Sequence, residues 1–80
     1  MLKKKEIWNQ VTLNLKSKLS KPDYNTWFSQ TTLKKLDANV AVIGVPNKFF
    51  SNWLNENYLI EITKSFKKVL KQTPPDIYFS

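Results

Sequence analysis

The sequence predicts a small α+β domain with the element order helix, helix, strand, strand, helix, strand. Three observations lead to this prediction. Two segments with apolar residues at helical spacing precede residue 30, two short β-compatible segments flank a turn near residue 38, and a long helical pattern precedes a pair of prolines. Because 80 residues have room for only one hydrophobic core, we expect residues 1–80 to form one domain with a small three-stranded sheet packed against helices.

The first two helices are predicted from periodicity and capping residues. Apolar residues recur from Ile7 at positions 7, 8, 11, 15 and 19, while Leu13 lies on the opposite side of the helical wheel and is either exposed or in contact with another surface. The second helix should begin after Ser20, a capping residue, and end near residue 30. Pro22 suits its first turn, and Asp23 lies where the helix dipole favours a carboxylate.

The next two segments are typical of a β-hairpin. Residues 31–37 and 40–45 are short and compatible with strands, and the second segment is rich in β-branched side chains. The turn where the two segments meet is predicted at Asp37, Ala38 and Asn39, which include the local turn formers. Gly44 is the only glycine of the chain, which excludes a glycine-rich phosphate-binding loop.

A third helix is predicted from Asn47, which can cap it, to about Lys71. Phe49 lies at the edge of the apolar face of this helix, where it can contact either the core or a partner. The centre of that face carries four large apolar residues that we expect to pack against the domain: Phe50, Trp53, Leu54 and Tyr58. Lysines at positions 64, 67, 68 and 71 occupy the solvated side, and residues 76–79 follow the two prolines as a last strand.

Composition limits the classes of function. The net charge is +7, all thirteen basic residues are lysine, and cysteine and histidine are absent, so we expect no disulfide, no metal site, no cofactor and no catalytic centre. Lysine offers point charges to phosphates, whereas base reading usually relies on arginine, so any nucleic-acid binding should be salt-sensitive. The alternative is that the lysines only solvate the surface. No apolar run approaches the roughly 20 residues of a membrane span, and we expect a cytoplasmic location.

Residues along nearly the whole chain, from about Glu6 to Phe79, resemble the N-terminal domain (domain I) of the bacterial replication initiator DnaA. The resemblance rests on two tryptophans separated by a leucine ladder, and on a proline-led run that is followed by a tryptophan and a tyrosine: Trp8, Leu15, Leu19, Trp27, Pro46, Asn47, Lys48, Phe49, Trp53 and Tyr58. It implies a KH-like α-α-β-β-α-β fold. It also implies an adaptor rather than an enzyme, excised from a longer initiator whose ATPase lies in a downstream domain.

The resemblance further implies the partners. These are the replicative helicase, other copies of the initiator, regulators of initiation and weakly bound single-stranded DNA. It assigns helicase contacts to Asp23 and Phe49, and self-association to Trp8. We expect the surface for helicase and regulators to be completed by Trp27 at its base and by two further residues, Asn47 and Lys48.

Simpler interpretations remain open at each of these residues. Phe49 can be a core aromatic, Asp23 a charge that only stabilises its helix, and Trp8 a buried side chain. Two other functions also remain: a single-stranded nucleic-acid binder that uses lysines and exposed aromatics, and a stand-alone regulator of the initiator.

Overall fold

The computed structural model describes residues 3–80 and confirms the predicted α+β class. Met1 and Leu2, which belong to the predicted domain 1–80, lie outside the described residues. In chain order the elements are α1 (Lys4–Lys18), α2 (Lys21–Phe28), β1 (Thr32–Leu36), β2 (Val40–Gly44), α3 (Lys48–Asn57), α4 (Leu59–Leu70) and β3 (Asp76–Phe79).

The three strands form one mixed sheet with β2 at its centre. β1 and β2 form the predicted antiparallel hairpin, and β3 lies parallel to β2 on the other side. A register shift between Leu33 and Lys35 marks an irregularity in β1. The helices cover one face of this sheet, with α1 packed on β1 and α4 packed on both α1 and β3.

Gly44 has a packing role within the hairpin. A Cβ at this position would lie 2.7 Å from Thr32 Oγ1 and 3.0 Å from Lys34 Cε, so two β1 side chains occupy the space that a larger residue would need. The single glycine of the chain therefore permits close approach of side chains across the hairpin.

The hydrophobic core lies between the helices and the covered face of the sheet. α1 contributes three buried side chains spaced one turn apart, and α4 contributes the fully buried Phe66 ring. The buried apolar residues form one cluster: Ile7, Val11, Leu15, Phe28, Leu33, Ala41, Ile43, Leu54, Ile62 and Phe66. Within residues 3–80, none of the helices has the length and apolar character needed to cross a membrane.

The predicted single helix from Asn47 to Lys71 is wrong in one respect, because the chain divides it at Tyr58. The backbone there has φ −125° and ψ 1°, so α3 ends before Tyr58 and α4 starts after it. Two features favour the break. The side chain of Asn57 donates a hydrogen bond of 3.1 Å to the Trp53 carbonyl and so competes with the helix, and the Tyr58 ring packs edge-on against Phe28 at 5.5 Å.

Asp37 organises the hairpin turn as expected for a turn former. Its Oδ1 accepts hydrogen bonds of 2.8 Å from the backbone N–H groups of Asn39 and Val40. The bond from Asn39 has the largest effect and lowers the pKa of the Asp37 carboxyl below its ordinary value of 3.8, and the bond from Val40 lowers that pKa further. The ionised form is therefore favoured in the folded state.

We expect Asp37→Ala to be less stable than wild type at neutral pH. In acid, the difference in stability between the two proteins should disappear. Because the folded-state pKa lies below the unfolded-state value, the carboxylate stabilises the fold fully above that unfolded value. The contribution is lost as the pH falls through the folded-state pKa. Thermal unfolding from about pH 7 to about pH 2 should show the two proteins converging. Asp37→Asn, which keeps an acceptor but cannot titrate, is the control; parallel acid profiles for wild type and Asp37→Ala would contradict the prediction.

Candidate functional site

Four aromatic rings from two helices form a partly exposed cluster, here named the aromatic surface: Trp27 of α2 and Phe49, Phe50 and Trp53 of α3. Trp27 lies at its centre. The Trp27 ring stacks on Trp53 with centroids 4.8 Å apart and planes 14° apart, meets Phe50 edge-on at 5.2 Å, and contacts Phe49 at 5.9 Å. Phe49 is 63% exposed and Trp53 is 37% exposed, whereas Trp27 and Phe50 are half-buried.

Helical spacing explains how one helix supplies three of these rings. Phe49 and Trp53 are four residues apart, so they lie on the same side of α3, with ring centroids 6.3 Å apart. Leu54, the next residue, is fully buried and holds α3 to the core. One side of α3 therefore packs while the adjoining side presents aromatic rings to solvent.

The structure corrects the predicted role of Trp53. We expected Trp53 to belong to the packed face of the helix, but it is more than one-third exposed and lies in the aromatic surface. A helical wheel places a residue around its own helix, whereas the position of Trp27 on a neighbouring helix decides which rings Trp53 meets. The spacing of four residues between Phe49 and Trp53 was the available signal.

Asn47 and Lys48 flank the exposed Phe49 ring at the start of α3. The predicted cap is confirmed, because Asn47 Oδ1 accepts a hydrogen bond of 3.1 Å from the Phe50 backbone N–H. Such a cap typically contributes about 1 kcal/mol. Both side chains are exposed, so Asn47 fixes the start of α3 while Lys48 adds a positive charge beside Phe49.

Asp23 lies one helical turn before Trp27 and is exposed. The predicted Ser20 cap is confirmed, since Ser20 Oγ accepts a hydrogen bond of 3.3 Å from the Asp23 backbone N–H. Burial raises the pKa of the Tyr58 hydroxyl, and the negative charge of Asp23 raises that pKa further. Asp23 itself is exposed, so its carboxylate is accessible to a partner.

Trp8 lies apart from the aromatic surface. Its ring is half-buried against Phe66, with centroids 6.2 Å apart, and borders a shallow depression of about 260 Å³ that Thr32 and Leu33 also line. The predicted residues thus divide into two groups, with Trp8 in one and the other five in or beside the aromatic surface. In the described part of the chain, no three His, Cys, Asp or Glu side chains are placed to hold a metal ion.

Comparisons with known proteins agree with the resemblance. A family profile described as the DnaA N-terminal domain matches residues 5–68, which include all six predicted site residues. The chain is 34% identical over 74 residues to each of two curated relatives, the chromosomal replication initiator proteins DnaA of Trichormus variabilis and Nostoc punctiforme. The alignments cover 92% of this chain but only 16% of each relative. By this match, the chain belongs to the DnaA N-terminal domain family.

Proposed function

We propose that this chain is the protein-interaction module of a replication initiator and that its aromatic surface recruits the replicative helicase. The observation that carries the proposal is the exposed Phe49 ring, 63% accessible and supported from below by Trp27. Family membership and the names of the relatives support the replication context. Regulators of initiation would dock on the same surface, and the proposal requires no cofactor.

The physical case rests on the anchoring role of aromatic side chains. Binding energy at protein interfaces is concentrated in a few large side chains, among which tryptophan and tyrosine are enriched, and rigid rings lose little entropy on binding. Here the rings contact one another before any partner arrives, so they are already ordered. Asp23 and Lys48 place opposite charges near the rings, where they can orient a partner.

The proposed mechanism is tethering. One copy of a small surface should bind weakly, but several initiators assembled together present several copies to a helicase. Once one copy has bound, the other copies bind the same helicase at a higher effective concentration, although each copy makes the same contacts as before. An isolated domain is therefore expected to bind more weakly than an assembled array.

Phe49→Ala is expected to weaken helicase binding by at least about tenfold, which corresponds to about 1.4 kcal/mol. Because the ring is mostly exposed, its removal leaves little cavity, and the loss of stability should be smaller than for Trp53→Ala. Calorimetric titration with the helicase and urea unfolding measure the two effects. Ile60→Ala is the matched control, because Ile60 is 68% exposed and lies outside the aromatic surface.

The proposed role of Phe49 would be contradicted if Phe49→Ala bound the helicase with unchanged affinity. It would also be contradicted if Phe49→Ala lost as much stability as Trp53→Ala. NMR titration of the labelled domain with helicase gives a second readout. We expect chemical-shift changes around Asp23, Trp27 and Phe49. No change near Asp23 would leave that residue with only its role at the start of α2.

We propose a separate self-association surface at Trp8. The ring is half-buried against Phe66, and its remaining edge borders an open depression beside β1 that a second copy could fill. Trp8→Ala is expected to shift light scattering from oligomer to monomer, with helicase binding retained. Urea unfolding checks that the variant remains folded. An oligomer that persists in folded Trp8→Ala would exclude this interface.

A further inference from the structure

α1 and α4 pack side by side in opposite directions. Lys18 Nζ lies 4.0 Å from Glu61 Oε2 at one end, and Ser65 Oγ donates a hydrogen bond of 2.8 Å to Asn14 Oδ1 near the middle. At the other end the two helices border a shallow cavity of about 390 Å³. We name it the α1–α4 groove; it is lined by Gln10, Leu13, Asn14, Lys68, Val69 and Lys71.

The groove presents apolar side chains to solvent. Leu13 is 65% exposed on the side of α1 that faces away from the core, and Val69 of α4 is half-buried next to the same cavity. The groove shares no residue with the aromatic surface. Neither helicase contact at Phe49 nor self-association at Trp8 accounts for an exposed leucine here.

The charge around the groove has one sign. Lys68 and Lys71 are exposed lining residues, and no lining residue is acidic. The one ion pair found within residues 3–80 joins Lys18 to Glu61, which lie outside the groove and on the far side of the partly buried Asn14–Ser65 hydrogen bond. Cations are favourable at the end of α4 because of the helix dipole, but the dipole does not account for a leucine placed beside them.

We propose that the α1–α4 groove binds an acidic amphipathic helix of a partner protein. Leucine-type side chains of that helix would contact Leu13 and Val69, and its carboxylates would pair with Lys68 and Lys71. A helix laid between two helices is a common mode of peptide recognition. A second copy of this chain offers few carboxylates to Lys68 and Lys71, because its six acidic residues are outnumbered by thirteen lysines. A nucleic-acid backbone would use the lysines but leave the apolar side chains uncovered.

The test uses a synthetic helical peptide of about 14 residues, close to four turns, with leucines on one face and glutamates elsewhere. Its titration into the labelled chain should shift the amide signals of Gln10, Leu13 and Val69. Leu13→Ser should lower the affinity for the peptide by at least about tenfold, and the double change of Lys68→Glu with Lys71→Glu should do the same. Ile60→Ser, a change at an equally exposed residue outside the groove, should leave the affinity unchanged.

Three results would overturn the proposal. One is equal binding of a peptide in which lysine replaces every glutamate. Another is signal changes confined to the aromatic surface. The third is a combined result: Leu13→Ser binds the peptide as tightly as wild type, and oligothymidylate displaces the peptide in a salt-dependent way. That result would instead indicate a nucleic-acid surface.

Discussion

Replacement of Phe66 by alanine is expected to lower the free energy of unfolding by about 3–5 kcal/mol. Phe66 is the largest fully buried side chain and lies on α4 in the central cluster, against the Trp8 ring. Truncation would leave a cavity that the packed helices and sheet cannot fill. Since small domains are stable by about 5–15 kcal/mol, this one change removes a large part of the total.

Urea unfolding followed by circular dichroism measures this loss, provided that the variant still folds. Phe66→Leu keeps most of the buried apolar volume and is expected to fold with a smaller loss, so it covers the case in which Phe66→Ala is unfolded. Ile60→Ala, on the exposed side of the same helix, should change stability by no more than about 0.5 kcal/mol. Equal effects of Phe66→Ala and Ile60→Ala would show that the core is wrongly assigned.

Trp27→Ala is expected to have the largest effect on the proposed helicase contact. Trp27 touches all three other rings of the aromatic surface, so its removal takes away the one ring that Phe49, Phe50 and Trp53 all contact. We expect helicase affinity to fall by about 30-fold or more, equivalent to the 2 kcal/mol that defines an interface hot spot. Because Trp27 is half-buried, the stability loss should be about 2 kcal/mol, below that of a fully buried tryptophan.

Two comparisons separate support of the surface from direct contact. Trp27→Phe retains an aromatic ring and should recover part of the affinity. A double-mutant cycle with Trp53→Ala should show an interaction energy above about 0.5 kcal/mol, because the two rings stack. Additive losses in the cycle, or unchanged helicase binding by a folded Trp27→Ala, would contradict the central role of Trp27.

Local signals in the sequence predicted most of the secondary structure. Ser20 and Asn47 cap their helices as expected, Asp37 directs the hairpin turn, and residues 76–79 form the last strand. The two caps and the turn depend on hydrogen bonds between residues two or three positions apart, which sequence spacing describes directly, whereas the last strand pairs with the distant β2. The break at Tyr58 was missed because it also involves the distant Phe28 ring.

The surroundings of the candidate site residues were predicted less well than the secondary structure. Phe49 is exposed, which is one of the two outcomes that its position at the edge of the apolar face left open, and Asn47 has the expected capping bond. Trp53 was expected to pack, yet it joins the exposed rings of the aromatic surface. The roles of Asp23 and Trp8 in binding remain predictions, to be settled by the titrations and scattering measurements above.

The sequence by itself determined the helix caps, the hairpin turn and the order of the elements apart from the break at Tyr58, because each depends on the identity and spacing of residues close together in the chain. Only the tertiary structure decided which apolar side chains face solvent. The stacking of Trp53 on Trp27 and the exposure of Leu13 beside Val69 depend on how separate helices meet. Burial is a property of the neighbours that a side chain acquires on folding, and periodicity within one helix does not specify those neighbours.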